Sequence, residues 1–299
     1  MPADTGTISA AVAERAGVDP RGWPDHAPRG LPSDVSLRDG LTIDEAVAAA
    51  LWNNPAFQVT LADLGFARAE LIDARMLRNP VLSFLFPIGP KQLEATLNWP
   101  IDALFHRPRR VAAATLDYQS IAARLVADAL GLVTAVKRTY VATATAERRA
   151  GLARETAEVA GRVRTIADAR FKAGDISDLE ARATRAEALI AEATARSAEH
   201  DRDLARIRLR ALIGVAPDAP VRVTPLADLP MQACGDLDSM MKDALAARPD
   251  VRAAEIAVEA AGARAGLARA QVLALTAILD ANGAGREGFE WGPGLSGEL

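Results

Sequence analysis

The chain has 299 residues, of which 50% are apolar, 25% charged and only 4% aromatic, and alanine alone fills 65 positions. Alanine forms helix well and lets helices approach closely, so long packed helices suit this composition, whereas a β-sandwich or a dinucleotide-binding α/β enzyme suits it poorly. A formal net charge of −4 gives no bulk attraction to nucleic acid or anionic lipid, and three His with a single Cys, Cys234, exclude a disulfide framework or a Cys/His zinc cluster.

No unbroken apolar run reaches the roughly 18 residues of a membrane helix, so none is predicted. The opening MPADTGTISAAVAERAGVDPRGW lacks a basic n-region, so the sequence as written begins without a secretory signal. Residues 1–40 carry Pro2, Pro20, Pro24, Pro28 and Pro32 and read as an extended, poorly packed arm.

Thr42-Ile43-Asp44-Glu45 is a capping box, which predicts a helix from Thr42 to about Leu77, kinked at Pro55 and ended before Asn79-Pro80. Over 81–99 the period changes to two: Leu93, Ala95, Leu97 and Trp99 alternate with Glu94, Thr96 and Asn98. With Val81–Phe86 and the Pro87-Ile88-Gly89-Pro90 turn, this predicts a β-hairpin with one apolar and one polar face.

Proline is then absent from 109 to 216. Two helices, 109–173 and 176–212, fill that stretch, with Gly174 as the break between them. Val111, Tyr118, Leu125 and Leu132 recur every seven residues, as do Leu152, Val159 and Ile166. On the returning helix Leu179, Ala183, Ala186, Ile190, Ala193, Ser197, His200, Leu204, Ile207 and Ala211 step by fours and threes, the pattern expected for the seam of an antiparallel coiled-coil hairpin. A proline-rich linker, 213–237, precedes a further helix over about 238–273. Alternation then resumes, with Phe289, Trp291, Leu295 and Leu299 on one parity.

Shifting the chain by 194 positions places Asp44, Ala50, Leu51, Pro55, Ala69, Ala74 and Arg75 on Asp238, Ala244, Leu245, Pro249, Ala263, Ala268 and Arg269. A helix with an internal Pro is followed by a period-two stretch in both copies, which marks an internal repeat. The chain therefore divides into an arm (1–40), a first repeat (41–237, with β-hairpin 81–99, helical hairpin 109–212 and linker 213–237) and a shorter second repeat (238–299).

LTIDEAVAAALWNNPAFQ, RFKAGDISDLEARATRAEALIAEA and ARPDVRAAEIAVEAAGARAGLARAQ resemble the most recognisable stretches of the TolC-like outer-membrane efflux proteins. NWPIDALFHRPRR resembles the strand-to-helix junction of members from heavy-metal cation efflux systems. The resemblance covers about 41–299. It implies a mainly α protein with a small β part, in which a long helical hairpin joins a periplasmic tunnel and β-hairpins join the β-barrel of a homotrimer in outer-membrane lipid. It also implies a periplasmic adaptor (membrane fusion) protein and an inner-membrane efflux pump as partners. A second long hairpin, which the family places after the second pair of strands, is expected to be truncated from this sequence.

In that family the adaptor's hairpin engages the tip, here Arg170, Phe171, Ala173, Gly174, Asp175 and Ser177. By itself the same stretch also reads as a plain turn between helices. Asp175 and Asp178 read either as a ring of carboxylates in a trimer or as favourable charges at the start of the returning helix. His106, Arg107, Arg109 and Arg110 form a basic cluster that lacks interleaved aromatics for nucleic acid and suits a junction between strand and periplasmic helix. His200 reads as a packed or partly solvated seam residue. His26 and His106 are too far apart in sequence to suggest a metal site, and Cys234 has no visible acylation context. Trp99 and Trp291 read equally as interface-belt residues or ordinary packing.

No nucleophile–base pair or phosphate loop appears, and GAGREG (283–288) lacks the strand–helix setting of a dinucleotide fingerprint, so neither an enzyme nor a cofactor is expected. The function predicted is a passive exit duct for small molecules or metal cations. A coiled-coil scaffold or adaptor protein is the alternative, and it leaves the alternating strands unexplained.

Overall fold

Prolines and caps punctuate the computed structural model, which describes residues 5–17, 31–32, 35–37, 40–86, 88, 93–225, 236–272, 274–283 and 289–298. The elements in order are α1 (Thr5–Ala16), α2 (Ile43–Asn53), α3 (Pro55–Arg75), β1 (Val81–Leu85), β2 (Leu93–Pro100), α4 (Asp102–Lys172), α5 (Asp178–Ile213), α6 (Leu237–Ala247), α7 (Pro249–Ala270), β3 (Ala274–Gly283) and β4 (Phe289–Glu298). The repeat is visible in these bounds: a shift of 194 carries α2 onto α6 and sets Pro55 on Pro249, each proline opening the next helix. What the sequence suggested as one kinked helix is in each copy two helices. Asn54 and Arg248 sit in extended conformation just before the prolines, as the ring of a following proline requires.

These elements form two compact units that cut across the repeat. One contains Leu61–Ala127 and Asp238–Leu299, the other Asp4–Thr60 and Asp128–Leu237.

In the first unit the four strands make one antiparallel sheet in the order β1-β2-β3-β4, so the strand pairs of the two repeats join through β2 and β3. Arg107 and Arg110, from the first turns of α4, donate to carbonyls at the end of α3. Arg107 Nε reaches Arg75 O at 2.9 Å, Arg110 Nε reaches Ala74 O at 3.1 Å, and Arg110 Nη2 reaches Met76 O at 2.6 Å. Part of the basic cluster thus satisfies the orphan carbonyls of a helix C-terminus and complements its dipole. The long helix begins at Asp102 rather than at 109, with Pro108 inside it, because one missing N–H near a helix start forfeits a single hydrogen bond. Asp117 on α4 meets Arg264 on α7 at 3.5 Å.

In the second unit α2 begins at the predicted box, with Thr42 and Glu45 bonded reciprocally. Ala46, Val47, Ala48, Ala49, Ala50 and Leu51 are all buried. The α2–α3 corner then docks on the end of α5. Asn54 caps α3 by accepting from Phe57 N–H at 3.0 Å and donates to Leu212 O at 2.8 Å, while Asn53 Nδ2 donates to Gly214 O at 2.5 Å. Asn54→Ala removes the cap and strands the Leu212 carbonyl, so we expect a loss of about 1–2 kcal/mol, readable as a lower urea midpoint by circular dichroism. Tyr140, 1% exposed, shares its hydroxyl proton between Leu41 O at 2.7 Å and Thr224 O at 3.0 Å, beside the parallel bridge Leu41–Val223. Burial pushes this phenol above its ordinary pKa.

The arm is not wholly extended. Residues 5–16 form α1, which buries Ile8, Ser9 and Val12, ends on left-handed Gly17 and receives Lys137 Nζ at its Ala16 carbonyl. Pro2 and Pro20 flank this helix without interrupting it, and Ile8 and Val12 are one turn apart, the spacing of a helix face. His26 and Cys234 lie outside the described residues.

The hairpin of α4 and α5 also departs from expectation. Leu179, Ala183, Ala186, Ile190, Ala193, Ser197, His200, Leu204, Ile207 and Ala211 are all exposed. The buried positions of α5 are instead Ala181, Ala188, Ala195, Ala205, Leu209 and Ile213. Along the distal part of α4, Ala150 and Ala167 are buried while Leu152, Val159, Val163 and Ile166 are exposed. On α5 the two rows lie two residues apart, roughly 200° around a helix, so they occupy opposite sides. Alanine at 181, 188 and 195 permits close approach there while Leu179 and Ile190 face away, and nearer the end of α5 Leu209 and Ile213 turn inward. Four ion pairs flank the inner row: Glu147–Arg206 (2.7 Å), Arg154–Glu199 (2.7 Å), Arg164–Glu192 (3.8 Å) and Asp168–Arg185 (2.8 Å). The Arg154 guanidinium holds the Glu199 carboxyl below its usual range. Nearer its start, α4 behaves as expected, with Tyr118 and Leu125 buried.

Candidate functional site

Two regions hold the features with functional promise, the hairpin tip in one unit and the sheet in the other. At the tip α4 ends on Gly174, whose φ of +82° lies in the left-handed region. Gly174 N–H bonds to Phe171 O at 3.0 Å and Asp175 N–H to Arg170 O at 2.9 Å, the paired bonds that close a helix on a left-handed glycine. Ser177 then caps α5: Glu180 N–H donates to Ser177 Oγ at 3.3 Å, and Ser177 N–H donates to Glu180 Oε2 at 2.8 Å. These bonds hold the Glu180 carboxyl below its ordinary pKa.

The cap of α5 is therefore Ser177 with Glu180, and Asp178 lies in the first turn of the helix. The pattern Ser-x-x-Glu at 177–180 repeats Thr-x-x-Glu at 42–45, so this pair was readable from the sequence and was missed. Asp178 pairs with Arg182 at 2.7 Å, which compensates its charge. Arg170, Phe171, Ala173, Gly174, Asp175, Ser177 and Asp178 are all exposed. The turn is closed almost wholly by backbone bonds and one cap, which leaves the remaining side chains at its surface.

One face of the sheet is apolar and the other is mixed. In the register, Leu97 lies opposite Leu82 and Leu279, Ala95 opposite Phe84 and Ala281, and Trp99 opposite Ala277. Beyond β3, Leu279 meets Pro293, Ala281 meets Trp291, and Ala277 meets Leu295. Every residue in these rows is apolar, and Leu82, Phe84, Trp99, Leu279, Trp291 and Leu295 are exposed. The intervening rows are mixed: Ser83, Thr96 and Asp280 lie side by side, Glu94, Asn282 and Glu290 share a row with Leu85, and Asn98 lies between Val81 and Ile278. Trp99 and Trp291 fall on the apolar face, four rows or roughly 13 Å apart along the strands, and Trp291 is 74% exposed rather than packed in this chain. The edge strand β4 contains Pro293, a residue that sheets accept at edges. β3 and β4 have 10 residues each, about 33 Å extended. Tilted at about 45°, such strands span close to the ~25 Å apolar band of a membrane barrel.

His106 is half-buried on α4, and His200 is exposed rather than packed. Among the described residues no group of three or more His, Cys, Asp or Glu is placed to hold a metal ion. α4 contains an 18-residue window with a mean hydropathy of 1.3, apolar enough for a membrane span by composition alone and 33% buried.

The family model for outer membrane efflux proteins matches residues 46–215, more than half of the chain. The chain belongs to the outer membrane efflux protein family. The match takes in α2 through α5, including the tip and the first strand pair. A search of curated protein sequences gives no match. Among solved structures, the chain is similar to a membrane protein from Pseudomonas aeruginosa, with a TM-score of 0.70 at 21% identity, covering 93% of this chain and 71% of that one. It is similar to CusC, with a TM-score of 0.66 at 18% identity over 92% and 72% of the two chains. It is also similar to the Campylobacter jejuni CmeC outer membrane channel, with a TM-score of 0.68 at 16% identity over 91% and 65%. At these identities the likeness is one of fold, and the fold is the TolC-like one: long helices with a small antiparallel sheet.

Proposed function

We propose that this efflux protein forms part of a passive exit duct in the outer membrane, working as a homotrimer that receives cargo from an inner-membrane pump through a periplasmic adaptor. The observation that carries the reading is the two-faced sheet. An apolar face across four strands suits lipid, while the other face, where Thr96, Asp280, Glu94 and Asn282 lie beside Leu85, Val81 and Ile278, suits a lumen wetted along its polar rows. The exposed row Leu179, Ile190, Leu204 and Ile207 on α5, with Leu152, Val159 and Ile166 on α4, supports side-by-side packing with hairpins of neighbouring copies. Small molecules or metal cations are the proposed cargo. The metal reading rests on the junction stretch NWPIDALFHRPRR, and a passive duct requires no bound ion. A scaffold without transport would use the same hairpin but has no need of a sheet with one lipid-like face.

Cysteine accessibility tests the duct. In a Cys234→Ser background, Thr96→Cys in the reconstituted protein should react with a water-soluble thiol reagent and lower single-channel conductance, while Leu97→Cys should do neither. Equal reaction at both positions, or no conductance to block, would sink the reading.

The tip residues Arg170, Phe171, Ala173, Gly174, Asp175 and Ser177 are the proposed adaptor-docking surface, and Asp175 supplies a candidate carboxylate ring. Gly174 has open space where a Cβ would sit, so substitution there carries only backbone strain, roughly 1 kcal/mol. Gly174→Leu should therefore weaken chemical cross-linking to the adaptor while the helical circular dichroism stays close to that of the parent. Undiminished cross-linking would count against docking at the tip.

A further inference from the structure

We draw no further inference here: the strongest candidate, the exposed apolar face of α6 formed by Leu237, Met240, Met241 and Leu245, whose repeat counterpart on α2 is buried, would take a second helical hairpin and so restates an established property of the family.

Discussion

Gly214→Ala is expected to destabilise the protein by roughly 2–4 kcal/mol, far more than Gly174→Ala, although the two glycines have nearly the same backbone. Their φ angles are +75° and +82°, so each substitution carries the left-handed strain of about 1 kcal/mol. Their surroundings differ. A Cβ on Gly174 meets nothing within 4 Å, whereas one on Gly214 would lie 2.2 Å from Asn53 O and 2.8 Å from Asn53 C. Those atoms are backbone and cannot swing aside, so the α2–α3 corner must lift off the end of α5. That adds an overpacking cost of about 1–3 kcal/mol and strains the Asn53 and Asn54 bonds to the Gly214 and Leu212 carbonyls. Urea unfolding followed by circular dichroism compares the two variants directly. Equal midpoints would show that the corner yields without cost.

Leu279→Arg is expected to prevent stable insertion into the outer membrane, and Thr96→Arg to leave it nearly intact. The two positions are in neighbouring rows of the same sheet: Leu279 lies opposite Leu97, and Thr96 opposite Asp280. They point to opposite faces because side chains alternate along a strand. A guanidinium on the lipid side at mid-depth costs about 2–4 kcal/mol per copy, and symmetric assembly repeats the cost in every subunit. On the other face the new Arg meets Asp280 and water. Fractionation of cell envelopes, with trimer retention on a semi-denaturing gel, reads out both variants. If they insert equally, the assignment of faces is wrong.

Several features of this protein follow from short-range rules and were legible without coordinates. Thr42 with Glu45 starts α2, Pro55 and Pro249 mark a break in the helical course although each reads as a kink rather than as the start of a new helix, and the alternation from Leu93 to Trp99 gives a strand. The shift of 194 also carries the bounds of α2 onto those of α6, since both stretches carry similar local signals. α1 is local too, but the density of prolines around it hid its single buried face. The Ser177–Glu180 cap is equally local, with the same Ser/Thr-x-x-Glu spacing as Thr42–Glu45.

What the sequence by itself determined was therefore the kind and approximate bounds of the elements, because caps, prolines and periodicity act within a turn or two of chain. The direction each periodic face takes was decided by tertiary structure. The rows Leu179–Ile190–Leu204 and Ala181–Ala188–Ala195 both carry helical periodicity, and nothing local says which one turns inward. The choice depends on how closely α4 and α5 can approach, which favours alanine between them and leaves Leu179, Ile190 and Leu204 outside. Arg107 and Arg110 gain their role as caps only when α3 and α4 meet across more than thirty residues of chain. The joining of β2 to β3 unites strands almost two hundred residues apart. Long-range pairings of this kind are set by packing and by unsatisfied carbonyls in space, and short windows of sequence contain neither.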